Sequence, residues 1–113
     1  MQVKQTQKED AVICAIIGEI NIDTVDRLKT IFEKLTSAKS RKVIFNFEKL
    51  EYIDSAGFAC LIRFSQDIKN IQGILSFSNL SPKIRSLFAI TKLESIFKIY
   101  ETEEEAIEDS YGY

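Results

Sequence analysis

The residues best able to carry chemistry sit together at Asp54-Ser55-Ala56-Gly57, where a carboxylate, a hydroxyl and a glycine fall within four positions. A serine needs a base to become a nucleophile, and the chain has no histidine. That removes Ser-His-Asp and Cys-His catalysis, and with it the usual zinc ligand. Neither Gly-x-x-x-x-Gly-Lys-Ser/Thr nor Gly-x-Gly-x-x-Gly occurs, so the common glycine-rich phosphate cradles are missing. No cofactor, metal or enzymatic activity is expected. On residue type alone, the commoner role left for Ser55 is to cap a helix. Cys14 and Cys60 lie inside apolar runs and read as small core residues rather than a disulfide framework.

The surrounding elements must hold this serine at a defined place. Residues 2 to 8 are polar around Val3 and predict a weak edge strand. Ala11 to Ile17 is apolar on both alternating faces and reads as a doubly buried strand stopping at Gly18. Val25, Leu28, Ile31, Phe32 and Leu35 form the stripe of an amphipathic helix, with Asn21 and Asp23 both able to cap it. Lys42 to Phe47 is a core strand, and Leu50 and Ile53 are apolar anchors ahead of a helix that Ser55 can cap. Phe58 to Phe64, apolar nearly all round, forms its body. Ile74 to Ser78 is another strand. Ser81-Pro82 starts a helix, with serine as N-cap and proline at the first helical position. Phe97 to Tyr100 forms a short last strand, and Thr102-Glu103-Glu104-Glu105 a capping box whose acids are expected to be solvated.

Strands alternating with helices predict an α/β fold in which crossover helices join a small, mostly parallel mixed sheet. Four to five strands and about four helices are expected, as one domain over residues 1–113. With 45% hydrophobic and 28% charged residues the chain can bury a core. A net charge of -2 without a basic cluster speaks against nucleic acid. No apolar run is long enough to span a bilayer and none resembles a signal peptide, so a cytoplasmic location without membrane contact is expected.

The junction at Asp54-Ser55-Ala56-Gly57 resembles the Asp-Ser-Ser/Ala-Gly motif of STAS-domain anti-sigma factor antagonists. Gly18-Glu19-Ile20-Asn21 resembles that family's Gly-Glu-Leu-Asp turn. Asn79-Leu80-Ser81-Pro82-Lys83-Ile84-Arg85 through Leu93-Glu94-Ser95-Ile96-Phe97 resembles its late helix and following turn. The blocks occur in the family's order, and the similarity runs from about Val12 to Ile107.

The resemblance implies that Ser55 is phosphorylated by an anti-sigma factor that is itself a serine kinase, and that a PP2C-type phosphatase reverses this. The unphosphorylated form would bind the anti-sigma factor and release the sigma factor. Asn21, Asp23, Asp54, Ala56, Gly57 and Phe58 would form the partner-binding surface around Ser55. For several of these a structural role competes. Asp54 can orient the hydroxyl or simply cap, Gly57 can admit a partner backbone or serve helix packing, and Phe58 can anchor an interface or fill the core. Asn21 replaces the family's common Asp, and Ala59 and Cys60 stand where many relatives have Gly and a small aliphatic residue. The alternative is a constitutive scaffold or adaptor, in stress signalling or beside transporters, in which Ser55 only caps.

Overall fold

The computed structural model describes residues 1–109, so Ser110 to Tyr113 of the expected 1–113 domain lie outside the described residues. The elements follow as β1 (Gln2–Lys8), β2 (Ala11–Ile20), α1 (Val25–Ser37), β3 (Lys42–Asn46), β4 (Leu50–Ile53), α2 (Ser55–Asn70), β5 (Ile74–Ser78) and α3 (Pro82–Ile90). A single 3-10 turn at Leu93–Ser95, β6 (Lys98–Tyr100) and α4 (Glu103–Glu108) complete the described chain.

The sheet runs β1-β2-β3-β5-β6. Among the described residues only the β1–β2 hairpin is antiparallel; β3, β5 and β6 add in parallel, each reached through a helix-containing connection as parallel neighbours require. β4 pairs in parallel with the last residues of β2, from Gly18↔Leu50 to Ile20↔Ile53. It is the strand the sequence left unread, since four residues with only Leu50 and Ile53 buried are too short to show an alternation. Six strands result. β2 continues through Gly18 to Ile20 instead of stopping there. The register slips between Gly18 and Glu19, and Gly18 takes a φ of +103°, a conformation open to glycine, so it marks a bulge.

The two faces of the sheet carry separate apolar clusters, as the continuous apolar run in β2 requires. On one face Val12, Cys14, Ile16, Val43, Phe45, Leu75 and Phe77 pack under α1, α2 and α3. Phe32 stacks on Phe64 at 4.0 Å, and each fully buried ring of this kind contributes about 1.5–3 kcal/mol. On the other face Ala11, Ile13 and Ile44 are covered by Ala106 and Ile107 of the short α4. Cys14 and Cys60 are buried with free thiols. Burial pushes the Cys14 thiol up to about 12 and raises that of Cys60 as well.

Helix starts follow local chemistry where one residue can supply the cap. Ser81 accepts from the Ile84 N–H at 3.2 Å ahead of Pro82, and Thr102 accepts from the Glu105 N–H at 3.1 Å. Glu103, expected to be solvated, is only 17% exposed at its side chain. It accepts from Lys8 Nζ at 2.8 Å and Asn46 Nδ2 at 2.7 Å, tying α4 to β1 and β3. Burial opposes its ionisation, but the bonds from Lys8 and Asn46 and the Lys8 charge outweigh this and hold its carboxyl below the usual range.

Candidate functional site

α2 begins immediately after β4, where the chain leaves the sheet at Ile53 and turns into the helix at Ser55. The residue that caps it is Asp54, not Ser55. Asp54 has the extended backbone of an N-cap (φ −96°, ψ −177°), and its Oδ1 accepts from the Gly57 N–H at 2.8 Å. Ser55 is already the first helical residue and is exposed. Its hydroxyl makes no hydrogen bond among the described residues, and the cap expected of it is supplied by its neighbour.

The second carboxylate oxygen of Asp54 reaches across the fold. Oδ2 accepts from the Ile22 N–H at 3.0 Å, and the Asp54 N–H donates to the Ile20 carbonyl at 3.1 Å. One side chain therefore joins the α2 N-terminus to the loop between β2 and α1. Both oxygens are spent on backbone donors, so Asp54 does not orient the serine hydroxyl. The N–H groups of Ser55 and Ala56 have no acceptor among the described residues, as is normal for the first turn, and they leave positive dipole at the helix end.

Asn21 organises the loop that Asp54 holds. Its Oδ1 accepts from the N–H groups of Asp23 and Thr24 at 2.9 and 3.2 Å, while its Nδ2 donates to Glu19 Oε1 at 3.3 Å. Its carbonyl takes the Val25 N–H at 2.9 Å. Asn21 thus forms the turn ahead of α1, although the N-cap position falls to Thr24, whose side chain makes no cap bond. Asp23 is exposed and caps nothing, contrary to the expectation that it could.

Gly57 and Phe58 serve the core. A Cβ on Gly57 would meet Ile53 Cγ2 at 2.7 Å, Ile20 Cγ2 at 2.8 Å and the Ile20 carbonyl oxygen at 2.9 Å. The missing side chain lets α2 press against the ends of β2 and β4, and the close approach is to the chain's own backbone. Phe58 is 6% exposed and meets Phe88 edge-on at 5.2 Å. Its ring holds α2 against α3 from inside and presents no surface. Ala56 is half-buried.

Two side chains that the sequence did not single out complete the surface near Ser55. Ile22 is 68% exposed, in the loop whose backbone Asp54 fixes. Tyr52, exposed on β4, has Lys83 Nζ at 5.7 Å from its ring centroid. The one signal for Ile22 was an apolar residue inside the polar run from Asn21 to Thr24. The sequence-derived residues Asn21, Asp54, Ser55, Ala56 and Gly57 do converge, with Asp23 on the same loop. Among the described residues no group of three or more His, Cys, Asp or Glu could hold a metal, and no helix is long and apolar enough to cross a membrane. The arrangement is an exposed hydroxyl on a helix N-terminus, beside a loop that Asp54 and Asn21 hold by hydrogen bonds.

Comparison with known proteins places this geometry in a family. The model of the STAS domain matches residues 2–106. The chain is 24% identical over 106 residues to BtrV of Bordetella bronchiseptica, a protein named as an anti-sigma factor antagonist, covering 94% of this chain and 91% of that one. A crystal structure from Thermotoga maritima, of a protein also named as an anti-sigma factor antagonist, superposes with a TM-score of 0.89 at 24% identity, over 96% and 93% of the two chains. The anti-sigma factor antagonist SpoIIAA in its unphosphorylated form superposes with a TM-score of 0.75 at 22% identity, over 99% and 100%.

Proposed function

This chain belongs to the STAS domain family, and from that premise we propose that it is an anti-sigma factor antagonist whose binding to an anti-sigma factor serine kinase is gated by phosphorylation of Ser55. The unphosphorylated form binds the anti-sigma factor and releases the sigma factor; the phosphorylated form does not. A PP2C-type phosphatase resets the switch. The protein acts by binding and serves the kinase as substrate, with no chemistry of its own.

The observation that carries this reading is the division of labour between Asp54 and Ser55. Because Asp54 supplies the cap, the Ser55 hydroxyl is exposed and has no duty in the fold. It can be modified without removing a bond that holds α2. A phosphate brings about -1.5 to -2 charges, and the unoccupied N–H groups and dipole at the helix end offset part of that charge. The remainder acts outward, beside Asp54, where it repels acidic partner groups and adds a desolvation cost to docking. A phosphorylated form of SpoIIAA, 23% identical to this chain, has been solved with the same fold at a TM-score of 0.72.

In the alternative, a constitutive scaffold, Ser55 would not be the cap of α2 either, since Asp54 holds that position. The proposal is tested by incubating the chain with its cognate anti-sigma kinase and ATP and mapping phosphate by mass spectrometry. One phosphate on Ser55, absent from Ser55→Ala, is expected. Phosphate elsewhere, or none, defeats the reading.

A further inference from the structure

Among the described residues Ile22, Ile90 and Ile96 stand out into water, Ile22 at 68% and Ile90 at 76% exposure. Isolated apolar residues on a surface are ordinary and need no function. Ile90, in the last turn of α3, and Ile96, just after the 3-10 turn, fit that description. Ile22 differs in what holds it and in where it is held.

Ile22 lies in the short connection between β2 and α1, residues 21–24, and the backbone on both sides of it is tied down. Its own N–H donates to Asp54 Oδ2 at 3.0 Å, and the Asp54 N–H returns a bond to the Ile20 carbonyl at 3.1 Å. The Asn21 N–H donates to Thr24 Oγ1 at 2.9 Å, and that hydroxyl donates to the Glu19 carbonyl at 3.0 Å. Asn21 Oδ1 takes the N–H groups of Asp23 and Thr24. A large apolar side chain is thereby presented to water from a backbone already fixed, and its branched Cβ restricts χ1 further. Little ordering entropy remains to be lost when such a side chain is buried against another molecule. Asp54, which fixes Ile22, is also the cap of α2 one residue ahead of Ser55, so one side chain sets the loop and the hydroxyl relative to each other.

We propose that Ile22 is the apolar anchor of the partner contact, seated in an apolar pocket of the anti-sigma kinase beside the cleft that receives Ser55. This rests on the function proposed above and names the residue that supplies its affinity. Burying the isoleucine gives the favourable term, and the water excluded around it makes the neighbouring position a costly one for charge. A phosphate on Ser55 would have to enter that seal, which joins the anchor to the gate.

The test uses the full chain and its cognate anti-sigma kinase, comparing Ile22→Ala, Ile22→Val and Ile90→Ala with the parent by calorimetry and by steady-state phosphorylation. Ile22→Ala is expected to bind about tenfold more weakly and to raise KM by a similar factor with kcat nearly unchanged, because an anchor away from the hydroxyl serves the bound and transition states alike. Ile22→Val should recover most of the loss, and Ile90→Ala should bind like the parent. Both isoleucines are exposed, so thermal unfolding midpoints should match the parent's in all three variants. Parent binding that Ile22→Ala leaves unchanged overturns this proposal alone, as does an equal loss in Ile90→Ala or a loss confined to kcat. Failure of the parent itself to bind overturns it together with the function on which it rests.

Discussion

The assignment of the α2 cap to Asp54 can be tested by comparing two adjacent substitutions. Asp54→Ala removes the bond from the Gly57 N–H, a helix N-cap whose loss costs about 1 kcal/mol within a range of about 0.5–2. It also removes the charge-assisted bond from the Ile22 N–H, which at this half-buried position adds about 1 kcal/mol, because water can reach the released donor. The total is about 2 kcal/mol. Ser55→Ala removes a hydroxyl with no partner and places a better helix former at an exposed helical position, so stability should stay within about 0.5 kcal/mol of the parent. In urea unfolding, with a slope of about 2 kcal/mol per M, Asp54→Ala should lower the midpoint by about 1 M and Ser55→Ala should barely move it. Asp54→Asn, which keeps an acceptor but loses the charge, should fall between them. A large loss in Ser55→Ala with Asp54→Ala unaffected would refute the assignment and restore Ser55 as a structural residue.

Gly57→Ala should cost about 1–3 kcal/mol in the same assay, because its methyl would meet Ile53 and Ile20 below 3.0 Å; a neutral result would show that α2 can lift from the sheet without penalty. Glu103 is held below the ordinary carboxyl value of 4.5, so its contribution is fully present above that pH and is lost as pH falls through the lower folded value. Glu103→Gln should accordingly lose less stability than the parent between pH 5 and pH 3, and equal losses would remove the ionic link between α4 and β1. At about 12 against an ordinary 9.0, Cys14 has about a thousandfold less thiolate near neutral pH. With Cys60 also buried and raised, a thiol reagent at pH 8 should label neither residue until urea unfolds the chain, and rapid native labelling would contradict the packing.

Elements specified by neighbouring residues were legible in the sequence. Ser81-Pro82 and Thr102 to Glu105 carry their own caps, and Ala11 to Ile17 shows its double burial in the residue types alone. What could not be read depends on contacts far along the chain. Asp54 and Ser55 are equally good caps by type. Asp54 is favoured by the backbone that enters from β4 and by a second oxygen engaged by Ile22, 32 residues away. Gly18 looks like a strand end, and only the pairing of Gly18 to Ile20 with β4 makes it a bulge within a longer strand. Glu103 fits a capping box locally, yet its buried bonds come from Lys8 and Asn46 on distant strands. The motif does fall at a helix start, as the sequence predicts, while the structural roles inside it shifted. Asp54 caps, Asn21 shapes the loop, Gly57 and Phe58 pack, and Ser55 is left exposed.

In the proposed switch, charge on Ser55 controls binding without disturbing the fold. It is tested most directly by titration calorimetry of the cognate anti-sigma kinase against the unmodified chain, the Ser55-phosphorylated chain and Ser55→Asp, with thermal unfolding measured on the same samples. Binding at least about tenfold weaker is expected for the phosphorylated chain, a smaller weakening for Ser55→Asp, and unfolding midpoints close to that of the unmodified protein. Equal affinity of the unmodified and phosphorylated chains, or weaker binding accompanied by a large drop in stability, would contradict it.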